Sequence, residues 1–141
     1  MSNSYRDLIV WQKAKQLAVE VYQLTDPFPI RERFGLSNQM RRAAVSVSSN
    51  IAEGQGRTTV GEFQQFLGYA RGSLLELETQ LEIAAELSYA SKSDFQRIHN
   101  RSREVLFLLN RLISGVRNSK PDVADGTIAG VSKPPKHLKP Y

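Results

Sequence analysis

Four successive stretches of this chain place their apolar residues at steps of three and four, and none alternates with the period of two that a half-buried strand needs. That pattern confines the fold to helices. In the first stretch, roughly Asp7 to Thr25, a stripe of Val10, Ala14, Leu17, Val21 and Leu24 is widened by Trp11, Ala18 and Tyr22. Pro27 and Pro29 stop it, because proline lacks the amide hydrogen that a helix interior uses. Phe28, Ile30 and Phe34 follow in the connection and are expected to seal one end of the molecule, since three exposed apolar residues in a short loop are unusual. The second stretch, about Leu36 to Glu53, carries Leu36, Met40, Ala43, Ala44, Val47 and Ile51 on one face and is expected to end at Gly54 in a left-handed cap.

Thr59 and Glu62 make a capping box that opens the third stretch, where Val60, Phe63, Leu67, Ala70, Leu74, Leu77, Leu81 and Ala84 form a long seam. Ser91 or Ser93 is the expected N-cap of the fourth, which repeats the pattern with Phe95, Ile98, Ser102, Val105, Leu109, Leu112 and Val116, broadened by Leu106, Leu108 and Ile113. Short links favour antiparallel neighbours, so the expected fold is all-α, an antiparallel up-down-up-down four-helix bundle over residues 1–118. Residues 119–141 hold four of the six prolines and no periodic apolar set, and read as a disordered, basic, Pro-containing tail.

A chain of 141 residues fits one domain with one core. The absence of cysteine excludes disulfides, thiol chemistry and thiolate metal sites. No apolar run approaches the roughly 20 residues of a membrane span. Met1 to Asp7 shows no apolar segment behind a basic start, so the expected location is cytoplasmic, without a signal peptide. The formal charge of +5 and pI near 9.7 favour contact with polyanions. Lys120, Lys133, Lys136 and Lys139 against Asp122 and Asp125 supply +2 of this, leaving the body only mildly basic.

Nothing in the sequence assembles a catalytic centre. His99 and His137 are the only histidines, and neither has a partner for a metal site or a nucleophile. Glu78 and Glu82 share a helix face, an arrangement common on solvated surfaces. Gly54-Gln55-Gly56-Arg57 lacks the preceding strand and the Lys-Ser/Thr of a phosphate loop. The expectation is a protein that is not an enzyme, with no cofactor, metal or small-molecule substrate.

Charge is distributed unevenly. Glu76, Glu78, Glu82 and Glu86 follow one another without an intervening base on the third helix, and Arg97, Arg101, Arg103, Arg111 and Arg117 dominate the fourth. Two readings stand side by side: the arginines pair with carboxylates of neighbouring helices or subunits, or they meet phosphate, with Arg41, Arg42 and Arg57 as a second cluster. Arginine outnumbers lysine twelve to three in residues 1–118, a bias that suits bidentate contact with either anion. The second helix also has a face of Arg41, Val45, Ser48 and Ala52, and the third a run of Gly61, Gly68 and Gly72. Small residues let another backbone approach, either within the bundle or at a subunit interface through Val45, Ser48, Ala52, Gly68 and Gly72. Asn50 borders the core face and needs a hydrogen-bond partner, and Glu53 is placed to pair with Arg57 or Arg42.

Leu8-Ile9-Val10-Trp11-Gln12-Lys13-Ala14, the segment GLSNQMRRAAVSVSSNIAEGQGR from Gly35 to Arg57, Glu62-Phe63 with Phe66-Leu67, and Gly72-Ser73-Leu74-Leu75-Glu76-Leu77-Glu78 occur in this order over about Tyr5 to Arg117. In this the chain resembles the four-helix-bundle proteins encoded in intervening sequences of bacterial 23S rRNA genes, which are related to accessory proteins of diversity-generating retroelements. The resemblance implies a homo-oligomer, a pentamer by preference. It also implies, by association, an adaptor that binds structured RNA or a nucleic-acid-processing protein. An oligomeric scaffold that binds a protein partner without nucleic acid is the alternative.

Overall fold

The computed structural model describes residues 4–118, so the tail expected over 119–141 lies outside the described residues. The Ser4 hydroxyl accepts the amide hydrogen of Arg6 and so caps a 3-10 turn at Tyr5–Asp7. Helix α1 follows at Ile9–Thr25, slightly later than its apolar period suggests. A second 3-10 turn, Ile30–Glu32, leads to α2 at Leu36–Gln55, and α3 at Val60–Glu86 and α4 at Lys92–Asn118 complete the order. Both expected serine or threonine caps are present: Thr59 Oγ1 accepts from the Glu62 amide at 3.1 Å, and Ser91 Oγ from the Asp94 amide at 3.0 Å.

Cross-links between helices fix their directions. Between α1 and α4, Glu20 meets Arg101 and Lys13 meets Glu104, so one helix descends as the other rises. Between α3 and α4, Ser102 bonds Glu78 and Arg71 bonds Asn110, again in opposite senses. Between α2 and α3, Ser46 faces Ser73 while Gly54 lies against Phe63 and Phe66. Three antiparallel pairs in series make α1 and α2 antiparallel as well, and the result is an up-down-up-down bundle with α1 opposite α3 and α2 opposite α4.

The core sits along the seams of all four helices, with Leu17, Val21, Met40, Ile51, Phe63, Leu67, Leu74, Leu77, Leu81, Ile98 and Leu109 among its fully buried side chains. Two expectations are overturned. Gly54 is not a left-handed cap: α2 runs through it to Gln55, and a methyl group at Gly54 would stand 2.8 Å from Phe66 Cβ. Its role is to let α3 approach, and the C-cap falls on Gly56 in the right-handed region at φ −86°. Of the three apolar residues in the α1–α2 connection, only Phe28 seals the end, while Ile30 and Phe34 are 79% and 88% exposed. Phe28, just before the turn Ile30–Glu32, is buried, and its ring lies 5.4 Å from that of Tyr89 in the α3–α4 link.

The end of α3 carries a feature the sequence does not announce. Ser88 adopts φ 62°, and the amides of Ser88 and Tyr89 return to the carbonyls of Ala85 and Ala84 at 3.0 and 2.9 Å. This is the paired hydrogen-bond closure of a Schellman motif, with serine where glycine is usual.

Candidate nucleic-acid interface

Most of the arginines on α4 are engaged inside the bundle. Arg101 places Nε and Nη2 against the two carboxylate oxygens of Glu20 at 3.0 and 3.2 Å, and Nη1 against Glu104 at 3.0 Å. The hydrogen bonds that Arg101 donates to Glu20, with the one it donates to Glu104, raise its pKa against the opposing effect of burial. For Glu104, burial pushes the carboxyl upward, but the bonds from Arg101 and from Lys13, whose Nζ lies at 3.3 Å, outweigh it and hold the group below its ordinary value. Arg97 reaches Asp94 at 3.3 Å and Glu20 at 4.0 Å, and Arg103 reaches Glu78 at 3.4 Å. These partly exposed pairs each contribute about 0–1 kcal/mol, so their larger effect is to cancel positive field on that face. Arg111 is exposed, has no ion pair with the described residues, and lies 5.7 Å from the centre of the Phe107 ring.

Arg41, Arg42 and Arg57 do not converge. Arg41 turns toward α1, donating from Nε to Thr25 Oγ1 at 2.7 Å with its guanidinium 4.7 Å from the Tyr22 ring centre. Arg57 sits beyond the opposite end of α2, bonded to Glu53 at 2.7 Å and stacked 4.9 Å over Phe66. Arg42, between them on the outer face, is exposed and makes no ion pair with the described residues. Arg33 is in the same condition. Sequence reasoning passed over Arg33 because it lies in a connection outside any helical stripe; the available signal was an arginine beside an aromatic residue just before a helix start. On α3, Glu76, Glu82 and Glu86 are exposed and likewise have no ion pair with the described residues.

The small-residue faces look outward. Val45 and Gly68 are exposed, and Ser48, Ala52 and Gly72 are half-buried. A methyl group added at Gly61 would meet no atom within 4 Å, so packing inside this bundle does not require that glycine. Gly68 instead opens a shallow cavity of about 560 Å³ between α3 and α4, lined also by Gln64, Arg71, Asn110, Ile113 and Ser114. Asn50 faces α3: its Nδ2 donates to Ser46 O and Oγ, both at 2.9 Å, and Ser46 Oγ lies 2.9 Å from Ser73 Oγ. This ladder satisfies the polar groups where the small side chains of α2 let α3 come close.

Among the described residues no group of three or more His, Asp or Glu side chains is placed to hold a metal ion. His99 stacks on Phe95 with ring centres 5.4 Å apart. No described helix is long and apolar enough to cross a membrane.

The fold and these surfaces can be set beside known proteins. The protein-family profile described as "23S rRNA-intervening sequence protein" matches residues 6–111. Among solved structures, the chain is similar to a protein of unknown function from the S23 ribosomal protein family of Bacteroides thetaiotaomicron VPI-5482. The two share 26% sequence identity at a TM-score of 0.69, over 75% of this chain and 96% of that one. Among curated proteins none gives a significant match.

Proposed function

The chain belongs to the 23S rRNA-intervening sequence protein family, and from that premise we propose that it is a non-enzymatic, homo-oligomeric adaptor, five subunits by preference, that binds structured RNA through backbone contacts. The observation that carries this reading is the separation of the arginines into two groups. Arg97, Arg101 and Arg103 are tied to carboxylates, whereas Arg42 and Arg111 stand exposed and unpaired among the described residues. Exposed guanidinium groups without base-reading neighbours suit phosphate contact that is independent of sequence. A ring of subunits multiplies such contacts without enlarging any one of them.

Assembly has its own support. The outward Val45, Ser48 and Ala52 of α2 and Gly68 and Gly72 of α3 lie on different helices. Head-to-tail contact between unlike faces is the kind of interface that closes into rings. The exposed Glu76, Glu82 and Glu86 favour a second reading, in which the partner of the oligomer is a basic protein, including one that processes nucleic acid, and no RNA is bound.

The deciding experiment measures binding of a structured rRNA fragment at low and physiological salt, for the wild type and for an Arg42→Glu/Arg111→Glu variant. Size is checked by light scattering and folding by circular dichroism. The RNA reading expects binding that falls with salt and is lost in the folded variant; absence of binding at either salt sinks it and leaves the scaffold.

A further inference from the structure

Between the end of α1 and the start of α2 lies a cavity of about 210 Å³, lined by Thr25, Asp26, Phe28, Pro29, Ile30, Arg33, Ser37 and Arg41. It is too small for a drug-sized ligand and suits a compact anion. Arg33 and Arg41 line it against one carboxylate-bearing residue, Asp26, so the lining carries a net positive charge that favours an anion. Arg41 is held in place by its Nε bond to Thr25 at 2.7 Å and its Nη2 bond to the Tyr22 carbonyl at 3.4 Å, which leaves Nη1 of its fork without a partner among the described residues, and Arg33 has no ion pair with them.

Ser37 strengthens the case. It is only 5% exposed, it lines the cavity, and its hydroxyl has no hydrogen-bond partner among the described residues. Arg57 Nε and Gln80 Oε1 are the buried side-chain polar atoms without a partner among the described residues, so the Ser37 hydroxyl is not sealed off and is free to bond a ligand in the cavity. The start of α2 also leaves amides free, since Glu32 Oε1 takes the Leu36 amide at 3.0 Å and the first backbone bond of α2 runs from Gln39 to Gly35 at 3.0 Å. The amides of Ser37 and Asn38 are left without an acceptor, at the positive end of a helix of 20 residues whose first turn has no acidic residue. The Glu32 carboxylate occupies the first amide of this helix, Leu36, and accepts from the Tyr89 hydroxyl at 3.0 Å, but it has no bond to the Ser37 or Asn38 amide. Phe34, the residue after Arg33, is 88% exposed. Phe34 does not line the cavity but follows a residue that does, and an exposed aromatic residue next in sequence to a basic anion site suits a single strand, one phosphate seated and one base stacked.

We propose that the Arg33–Ser37–Arg41 cavity is a phosphate site for single-stranded nucleic acid, with Phe34 as the platform for an adjoining base. The choice of ligand rests on the RNA reading above, but the anion site can be tested without RNA. Inorganic phosphate is titrated into the full-length protein while backbone amide resonances are recorded, and a labelled oligouridylate is titrated separately by fluorescence anisotropy. Phosphate is expected to move the Ser37 and Asn38 amides in the wild type and not in a folded Arg33→Ala/Ser37→Ala variant. Oligouridylate affinity is expected to fall about tenfold in that variant and in Phe34→Ala. Phe34→Ala should leave the phosphate response intact, and Asp26→Asn should strengthen both ligands. Unmoved Ser37 and Asn38 amides would overturn the site. A phosphate response combined with oligouridylate binding indifferent to Arg33 and Phe34 would overturn its assignment to nucleic acid. Loss of rRNA binding in the Arg42/Arg111 variant bears only on the broader adaptor reading, because neither residue lines this cavity.

Discussion

Ser102 donates its hydroxyl hydrogen to Glu78 at 2.7 Å, joining α4 to α3 through a buried polar contact. Glu78 is 9% exposed, and the same oxygen faces Arg103 Nε at 3.4 Å, so the carboxylate is held from inside by a neutral donor and from outside by a cation. Glu78→Ala would leave the Ser102 hydroxyl buried without its acceptor, at a cost of about 1–3 kcal/mol. Arg103→Ala removes only the more exposed contact and should cost less than about 1 kcal/mol. Chemical denaturation of both variants checks the asymmetry. Equal losses would show that the cation, and not the buried hydroxyl, secures Glu78.

Gly54→Ala should destabilise the bundle by about 1–3 kcal/mol, the range for overpacking a well-filled interior. The added methyl would stand 2.8 Å from Phe66 Cβ and 3.3 Å from Phe63 Cδ1. Phe66 Cβ is attached directly to the α3 backbone, so rotation of the ring cannot clear it and the helices must separate. Gly61→Ala, in open space on an exposed helical surface, should instead stabilise by up to about 1 kcal/mol. Thermal unfolding of the pair distinguishes the two kinds of glycine, and a neutral Gly54→Ala would mean that α2 and α3 have slack.

The contrast between those glycines shows what the sequence can disclose. Leu17, Leu67, Leu74 and Val105 were legible as core because burial of one helical face imposes a period that the chain itself carries. Thr59 and Ser91 were legible as caps because the donor each satisfies lies three residues away. Gly54 was misread because the atoms that require it belong to another helix. Ile30 and Phe34 were misread because apolar character alone does not say where a 3-10 turn will point them. Glu20 was not connected to Arg101, since their contact spans 81 positions and helical spacing carries no information about it. The cavity at Arg33 and Ser37 escaped for the same reason, as it forms only where the end of α1 meets the start of α2.

Ser88→Gly should stabilise the α3–α4 connection by roughly 0.5–1 kcal/mol. Ser88 is the one non-glycine residue with positive φ among the described residues, at 62°, and a side chain pays a conformational cost there that glycine avoids. Its hydrogen bonds are made by the backbone amides of residues 88 and 89, so the substitution removes none of them. A raised midpoint in thermal unfolding is the expected result. A lowered one would imply that the serine hydroxyl contributes an interaction larger than the conformational gain.

Acid should loosen the start of α2 through Glu32. The Leu36 amide, followed by the Tyr89 hydroxyl, holds this carboxyl below its ordinary value against the contrary effect of burial, with a smaller contribution from the charge of Arg31. Because the folded value is the lower one, the stabilisation is complete above the unfolded-state pKa and disappears as pH falls through the folded one. In a pH titration followed by nuclear magnetic resonance, the Leu36 amide should report a midpoint below that of glutamate in a peptide of the same local sequence. In Glu32→Gln the acid-dependent movement of Leu36 should vanish, while Tyr89 keeps its ring contact with Phe28 at 5.4 Å. A Leu36 midpoint at or above the peptide value would show that Glu32 does not hold the helix start as a carboxylate, and that the turn at residues 30–32 is maintained by Phe28 and Tyr89 alone.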